Sequence, residues 1–216
     1  MKQQENHRNS ERGNVIFIIL IAVVLFAALG FVVSNMLREG TPNAINEDRA
    51  RLLASEIMDY GRTLRQGVQN MRISNGCTDT QISFEVTALA GYANGTNTAC
   101  QLFHRAGGDV NYIPPTADVT TANWIFTGAN DALNVGTTAP DLIAILPNIP
   151  LAVCNAINTA SGITNLGDDS DISFAQFTGT YAATQTIDFA DGKTTGCLNH
   201  HDSGDNYFFY QVLLAR

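Results

Sequence analysis

Residues 11–33 read ERGNVIFIILIAVVLFAALGFVV, and the organisation of the whole chain follows from them. From Val15 to Val33 there are 19 residues without a charge or a polar side chain. As a helix rising 1.5 Å per residue they would extend about 29 Å, close to the roughly 30 Å hydrocarbon core of a bilayer. A buried helix of a globular domain is rarely apolar on every face over such a length. The expectation is a single transmembrane helix over residues 14–34. Lys2, Arg8 and Arg12 precede it, so the positive-inside rule puts residues 1–13, a charged leader, in the cytoplasm and the rest across the membrane. A cleaved secretory signal is the competing reading. Ala28-Leu29-Gly30 fits a small-x-small site, although the apolar run continues three residues beyond it.

Beyond this segment the chain changes character. Charged residues make up 15% of the sequence, against roughly 25% in ordinary soluble domains, and Asn, Thr, Gly and Ala fill the difference. After residue 73 the only basic residues are Arg105, Lys193 and Arg216, against thirteen acidic ones. A surface so acidic repels a phosphate backbone, which argues against nucleic acid as a partner. Cys77, Cys100, Cys154 and Cys197 all follow the apolar run, with no C-x-x-C and no histidine at zinc spacing. An even number of cysteines in an exported domain points to two disulfides. Three connectivities are possible, and Cys77–Cys100 with Cys154–Cys197 is the pairing preferred because it closes the shortest loops.

The fold class expected is α+β. A long N-terminal transmembrane-plus-amphipathic helix leads into a β-rich, disulfide-containing exported domain. Thr41-Pro42 reads as an N-cap and first helical position. Leu53, Ile57, Tyr60, Leu64, Val68 and Met71 then recur at steps of three and four, one face of a helix, with Glu47 and Arg51 paired on its wet side. Ser74-Asn75-Gly76 stops it. Residues 35–76 are thus a linker and amphipathic helix, and residues 77–216 the exported domain. Within that domain strands are expected at Thr80–Thr87, where Ile82, Phe84 and Val86 alternate, and at Asn123–Thr127, Ile172–Phe177, Gln185–Phe189 and Tyr207–Leu214. Residues 140–158, broken by Pro147 and Pro150, read as two short helices, the second carrying Cys154.

A short charged leader ending in Arg-Gly, then some twenty apolar residues, then an amphipathic helix, resembles the type IV pilin and pseudopilin family. The resemblance covers residues 1 to about 73. It implies cleavage by a prepilin peptidase after Gly13, leaving Asn14 as the new N-terminus. It also implies a bacterial inner-membrane location, with the C-terminal domain periplasmic or extracellular. The partners it implies are the lipid bilayer and other pilin-like subunits, met through the N-terminal helix. Asn14 stands where the family usually begins with Phe, and Ile18 where it usually has Glu. That carboxylate is thought to pair with a neighbouring subunit's amine, so its absence implies a minor, tip-type component. Residues 123–158 and the ending YFFYQVLLAR also resemble a group of bacterial proteins that share the Gly-Asn-Val junction and have no assigned activity.

Little points to catalysis. The chain has no G-x-S-x-G, H-E-x-x-H or P-loop, and His104 beside Arg105 has no triad partner in sequence. No cofactor is called for. His200, His201, Asp202 and Asp205 form a polar cluster that reads as a solvated turn rather than a metal site. Asp168, Asp169 and Asp171 resemble half of a calcium loop but lack the glutamate that closes an EF-hand. The function expected is a structural component of an envelope, secretion or pilus assembly. A single-pass anchored binding module that never polymerises is the alternative, and an enzyme comes third.

Overall fold

A computed structural model describes residues 11–39, 42–168, 171–182, 185–188, 192–200 and 206–216, with side chains left out at 11–16 and 32–46. The chain divides into two compact units, Met1–Asn46 and Glu47–Arg216. The first contains helix α1, Glu11–Glu39. Its described side chains, 17–31, are all exposed, among them Phe17 at 63%, Phe26 at 79% and Phe31 at 68%. That stretch amounts to about 22 Å of helix. Among the described residues no helix is long and apolar enough to cross a membrane.

Helix α2, Pro42–Ser74, carries the stripe expected from its periodicity. Ile57, Leu64, Val68 and Met71 are buried and Tyr60 and Leu53 partly so, while Ala50, Ala54 and Met58 widen the buried band. From Glu47 onward the helix belongs to the second unit. Arg51 pairs loosely with Glu47 at 3.8 Å on the wet face. The helix stops where expected. The N–H groups of Asn75 and Cys77 both donate to the Met71 carbonyl, and Gly76 takes the left-handed conformation at φ 65°. Gly67 sits inside the helix because the chain at Leu102 and Val110 comes too close for a Cβ, which would stand 2.6 Å from each side chain.

Among the described residues six strands form one sheet. They are β1 (Ile125–Ala132), β2 (Asp141–Ile149), β3 (Gly167–Asp168), β4 (Gln185–Ile187), β5 (Thr195–His200) and β6 (Asn206–Leu214), in the order β3-β5-β6-β2-β1-β4. The two short edge strands run parallel to their neighbours and the rest are antiparallel. Alternation in the two central strands builds two cores. Leu142, Ala144 and Leu146 of β2 join Phe209 and Leu213 of β6 beneath α2. Ile143, Ile145, Phe208, Tyr210 and Val212 face the other way. Leu198 of β5 and Ile187 of β4 enter that second core from opposite ends of the sheet, which therefore curls. Helix α3, Leu151–Ser161, lies on the α2 side through Val153, Cys154 and Ile157.

Several expectations are corrected here. Residues 140–158 are one strand followed by one helix, not two helices. The run Leu142–Leu146 is apolar on both faces because both faces of the sheet are covered, and such a run has no periodicity by which to tell strand from helix. Pro147 is tolerated because it lies in a bulge, between the paired Leu146 and Ile149, with Asn148 left-handed at φ 59°. Thr80–Thr87 is no strand. A 3-10 turn, Asp79–Gln81, opens it, and its pairing is confined to isolated bridges such as Ser83 with Gln101. Ile172–Phe177 is likewise irregular. Its partner is the Asn130 side chain, whose amide donates to the Ser173 carbonyl and whose oxygen accepts from the Ser173 N–H, both at 2.8 Å. The strand expected at Asn123–Thr127 starts at Ile125 and runs on to Ala132. The one at Gln185–Phe189 is seen as far as Ile187, Phe189 lying outside the described residues. Thr41 lies outside them too.

The disulfides join Cys77 to Cys100 and Cys154 to Cys197. The first ties the end of α2 to the irregular segment, and the second ties α3 to β5. Asn158 reinforces the second tie. Its side chain donates to the Cys197 carbonyl and accepts from the Cys197 N–H, both at 2.8 Å and both buried. Asn158→Ala leaves a buried peptide unpaired on both sides, and with each orphaned group costing about 1–3 kcal/mol, a loss of about 2–6 kcal/mol is expected in denaturant melts. A loss below 0.5 kcal/mol, on the order of a surface substitution, would count against this role.

Candidate functional site

A largely apolar cleft of about 320 Å³ lies in the second unit, between α2 and the loop that precedes β1. Periodicity places its helical wall, since Glu56, Asp59 and Thr63 follow one another on the edge of the buried stripe. The opposite wall is Ile113-Pro114-Pro115-Thr116, where consecutive prolines hold the chain extended without needing backbone donors of their own. Trp124, 3% exposed, and Leu146 form the floor.

Two contacts hold this wall against the helix. The Tyr60 hydroxyl donates to the Asn111 carbonyl at 3.1 Å and accepts from the Ile113 N–H at 3.0 Å. Arg49 grips Asp118 at 2.6 Å. That ion pair is exposed and worth at most about 1 kcal/mol, so the tyrosine is the principal clasp. Its ring lies 5.3 Å from that of Trp124, which meets Phe209 edge-on at 5.9 Å. The polar groups of the cleft are few. Asp59 is bound to Arg62 at 2.6 Å, whereas Glu56 has no ion-pair partner among the described residues. The arrangement suits an apolar group accompanied by a cation.

Burial holds the Tyr60 phenol up at about 12, with the Ile113 N–H opposing the shift and Tyr112 adding to it. Burial raises Tyr92, Tyr181 and Tyr210 as well. In the unfolded chain these phenols lose their protons near 10, and in the fold they keep them to higher pH. Stability is therefore complete below about pH 10 and falls as pH rises toward 12. In alkaline melts Tyr60→Phe should flatten that fall measurably while lowering stability at neutral pH by about 1 kcal/mol for the lost clasp. Equal slopes for both proteins would show that Tyr60 does not carry the effect.

The other residues singled out in the sequence are dispersed. Gly13 and Asn14 lie in the opening turns of α1. Asp168 ends β3 and Asp171 follows it, both exposed, and Asp169 lies outside the described residues. Among the described residues no group of three or more His, Cys, Asp or Glu comes together in a way that could hold a metal ion. His200 ends β5 with its ring 5.3 Å from Phe174 and 6.3 Å from Phe208, beside a smaller hollow of about 240 Å³. His201, Asp202 and Asp205 lie outside the described residues. His104 accepts from the Ala106 N–H in a local turn. Sequence reasoning missed the cleft. Tyr60 and Trp124 were legible as core, and the unused signal was Tyr112-Ile113-Pro114-Pro115-Thr116, a stiff apolar stretch with no strand to join.

No family model, curated protein or solved structure matches this chain.

Proposed function

We propose that the chain is a membrane-anchored structural component of an envelope, secretion or pilus assembly, of the minor pilin-like or pseudopilin-like kind. The observation that carries this reading is α1, where every described side chain from Phe17 to Phe31 is exposed and most are large and apolar. Water is a poor medium for such a surface, and lipid or like helices would cover it. An apolar helix followed by an amphipathic one seated on a sheet supports the same reading. The N-terminus is then cytoplasmic, the cysteine-bearing domain lies across the membrane, and the leader is trimmed after Gly13.

Mass spectrometry of the chain recovered from its native envelope tests this. A mature N-terminus at Asn14 is the expected result. A chain beginning at Met1 would leave an unprocessed anchor, and one beginning at Phe31 would mark a secreted protein. The cleft beside Tyr60 favours a second reading, an anchored extracytoplasmic binding module that does not polymerise. In that case the chain would be recovered from mildly solubilised membranes as a monomer.

A further inference from the structure

The hollow beside His200, of about 240 Å³, lies at one end of the sheet, where the bulge in β2 opens it. Leu146 pairs with Phe209 and Ile149 with Tyr207, so Pro147 and Asn148 together oppose one residue, Phe208. Pro147 has no N–H for a ladder bond, and Asn148 holds the left-handed conformation at φ 59°, which a residue with a Cβ takes at some cost. Bulges re-aim a side chain, and costly backbone conformations gather at binding sites. The residue at stake here is Asn148, which is exposed and lines the hollow.

Asn148 shares the hollow with His200 and Tyr207, and none of these three side chains has a hydrogen-bond partner among the described residues. A carboxamide, an imidazole and a phenol can each take part as donor or acceptor. None of the described lining residues carries a carboxylate, an ammonium or a guanidinium. The walls are aromatic. Phe174 meets Phe208 edge-on at 5.6 Å and lies 5.3 Å from the His200 ring. Phe174 and Tyr207 are half-buried, which leaves part of each ring open.

An anion finds no cation in this hollow, and a cation finds no carboxylate. A wholly apolar guest takes water from three polar groups and gives no hydrogen bond back, which is unfavourable. A sugar ring meets neither obstacle. Its C–H face packs on the electron-rich face of an aromatic ring, and its hydroxyls, each a donor and an acceptor, suit the mixed groups of Asn148, His200 and Tyr207. At about 240 Å³ the hollow is smaller than the roughly 300–1,000 Å³ of sites for drug-sized ligands, so it takes one ring. We propose that this end of the sheet binds one neutral pyranose unit. The inference concerns the second unit alone, so it stands or falls separately from the assembly reading.

Saturation-transfer NMR tests it on the full chain in lipid nanodiscs, which avoid detergents with sugar head groups. The probes are the methyl glycosides of glucose, galactose, mannose and N-acetylglucosamine, with methyl glucuronide as the charged counterpart. At least one neutral glycoside should receive saturation at its ring C–H protons, and the glucuronide should receive none. Phe174→Ala should weaken that binding by about tenfold, the equivalent of one aromatic contact, and Phe174→Tyr should keep it. Asn148→Gly separates binding from folding. Glycine adopts φ 59° freely, so the melting curve should be kept while loss of the carboxamide weakens the sugar by about tenfold.

A disaccharide that ends in the preferred unit distinguishes the sources of such a ring. Equal binding supports the end of a glycan, and exclusion of the disaccharide supports a free sugar. Saturation transfer to none of the four neutral glycosides would overturn the proposal. Binding that survives both Phe174→Ala and Asn148→Gly would place the sugar elsewhere and overturn it too. So would glucuronide binding as tight as that of the neutral glycosides.

Discussion

Phe126→Ala should lower the stability of the domain by about 3–5 kcal/mol, the range for emptying a large aromatic site in a core. Phe126 is fully buried at the start of β1 and stacks on Phe84, with ring centres 4.1 Å apart and planes nearly parallel. Tyr92 meets it edge-on at 5.7 Å and Phe103 tilts over it at 5.9 Å. These rings come from the irregular segment between α2 and the sheet, which has no ladder of its own to hold it. The Tyr92 hydroxyl also accepts the Phe126 N–H at 2.9 Å, so the side chain and backbone of one residue anchor the same loop. Denaturant unfolding followed by the fluorescence of Trp124, the single tryptophan, measures the loss. A loss below about 1.5 kcal/mol would mean the segment collapses into the space and is less rigidly packed than the rings suggest.

Cys154→Ala with Cys197→Ala should cost about 4 kcal/mol. The bond spans 43 residues, and the loop-closure relation returns that value for a loop of this length. The Cys77–Cys100 bond spans 23 residues and returns about 3.4 kcal/mol by the same relation. Loop length separates the two by only about half a kcal/mol. Both cysteines of the Cys154–Cys197 bond are fully buried, so water does not replace the contacts that they lose. Asn158 still joins α3 to β5 when the sulfurs are gone, so the variant should fold and melt cooperatively. The comparison is made on oxidised protein by the same fluorescence melts. A double variant within 1 kcal/mol of the parent would show that Asn158 and packing alone hold the helix to the sheet.

How much of this was legible in the sequence differs from element to element. The stripe on α2 was readable because one face of that helix is buried and the other wet, which writes a period into the chain. Tyr207–Leu214 was readable as a strand from its aromatic and β-branched content. Leu142–Leu146 was not, because a strand covered on both faces loses its alternation. Ser83 was misassigned for the opposite reason. The alternation around it arises from burial between loops, and its hydroxyl, donating to the Tyr92 carbonyl at 3.2 Å, takes the place of an apolar contact. Segment 172–177 passes from one core to the other, Ile172 lying in the second and Phe177 in the first, so neither strand nor helix describes it.

The sequence by itself determined an apolar helix at the start, an amphipathic helix behind it with its stop at Gly76, and the strand that ends the chain. Each is a local pattern, decided by which neighbours three, four or two residues away share a face. Only the tertiary structure decided that β6 lies beside β2 at the centre of the sheet, that Cys154 meets Cys197, and that Tyr60 clasps the Pro114-Pro115 loop to make a cleft. These depend on pairings across 43 residues for the disulfide, 53 for the clasp and more still for the strands, where what matters is the shape and hydrogen bonding of surfaces brought together by the fold. Nothing in a local window records such a meeting, and so the apolar helix could be read at once and the cleft could not.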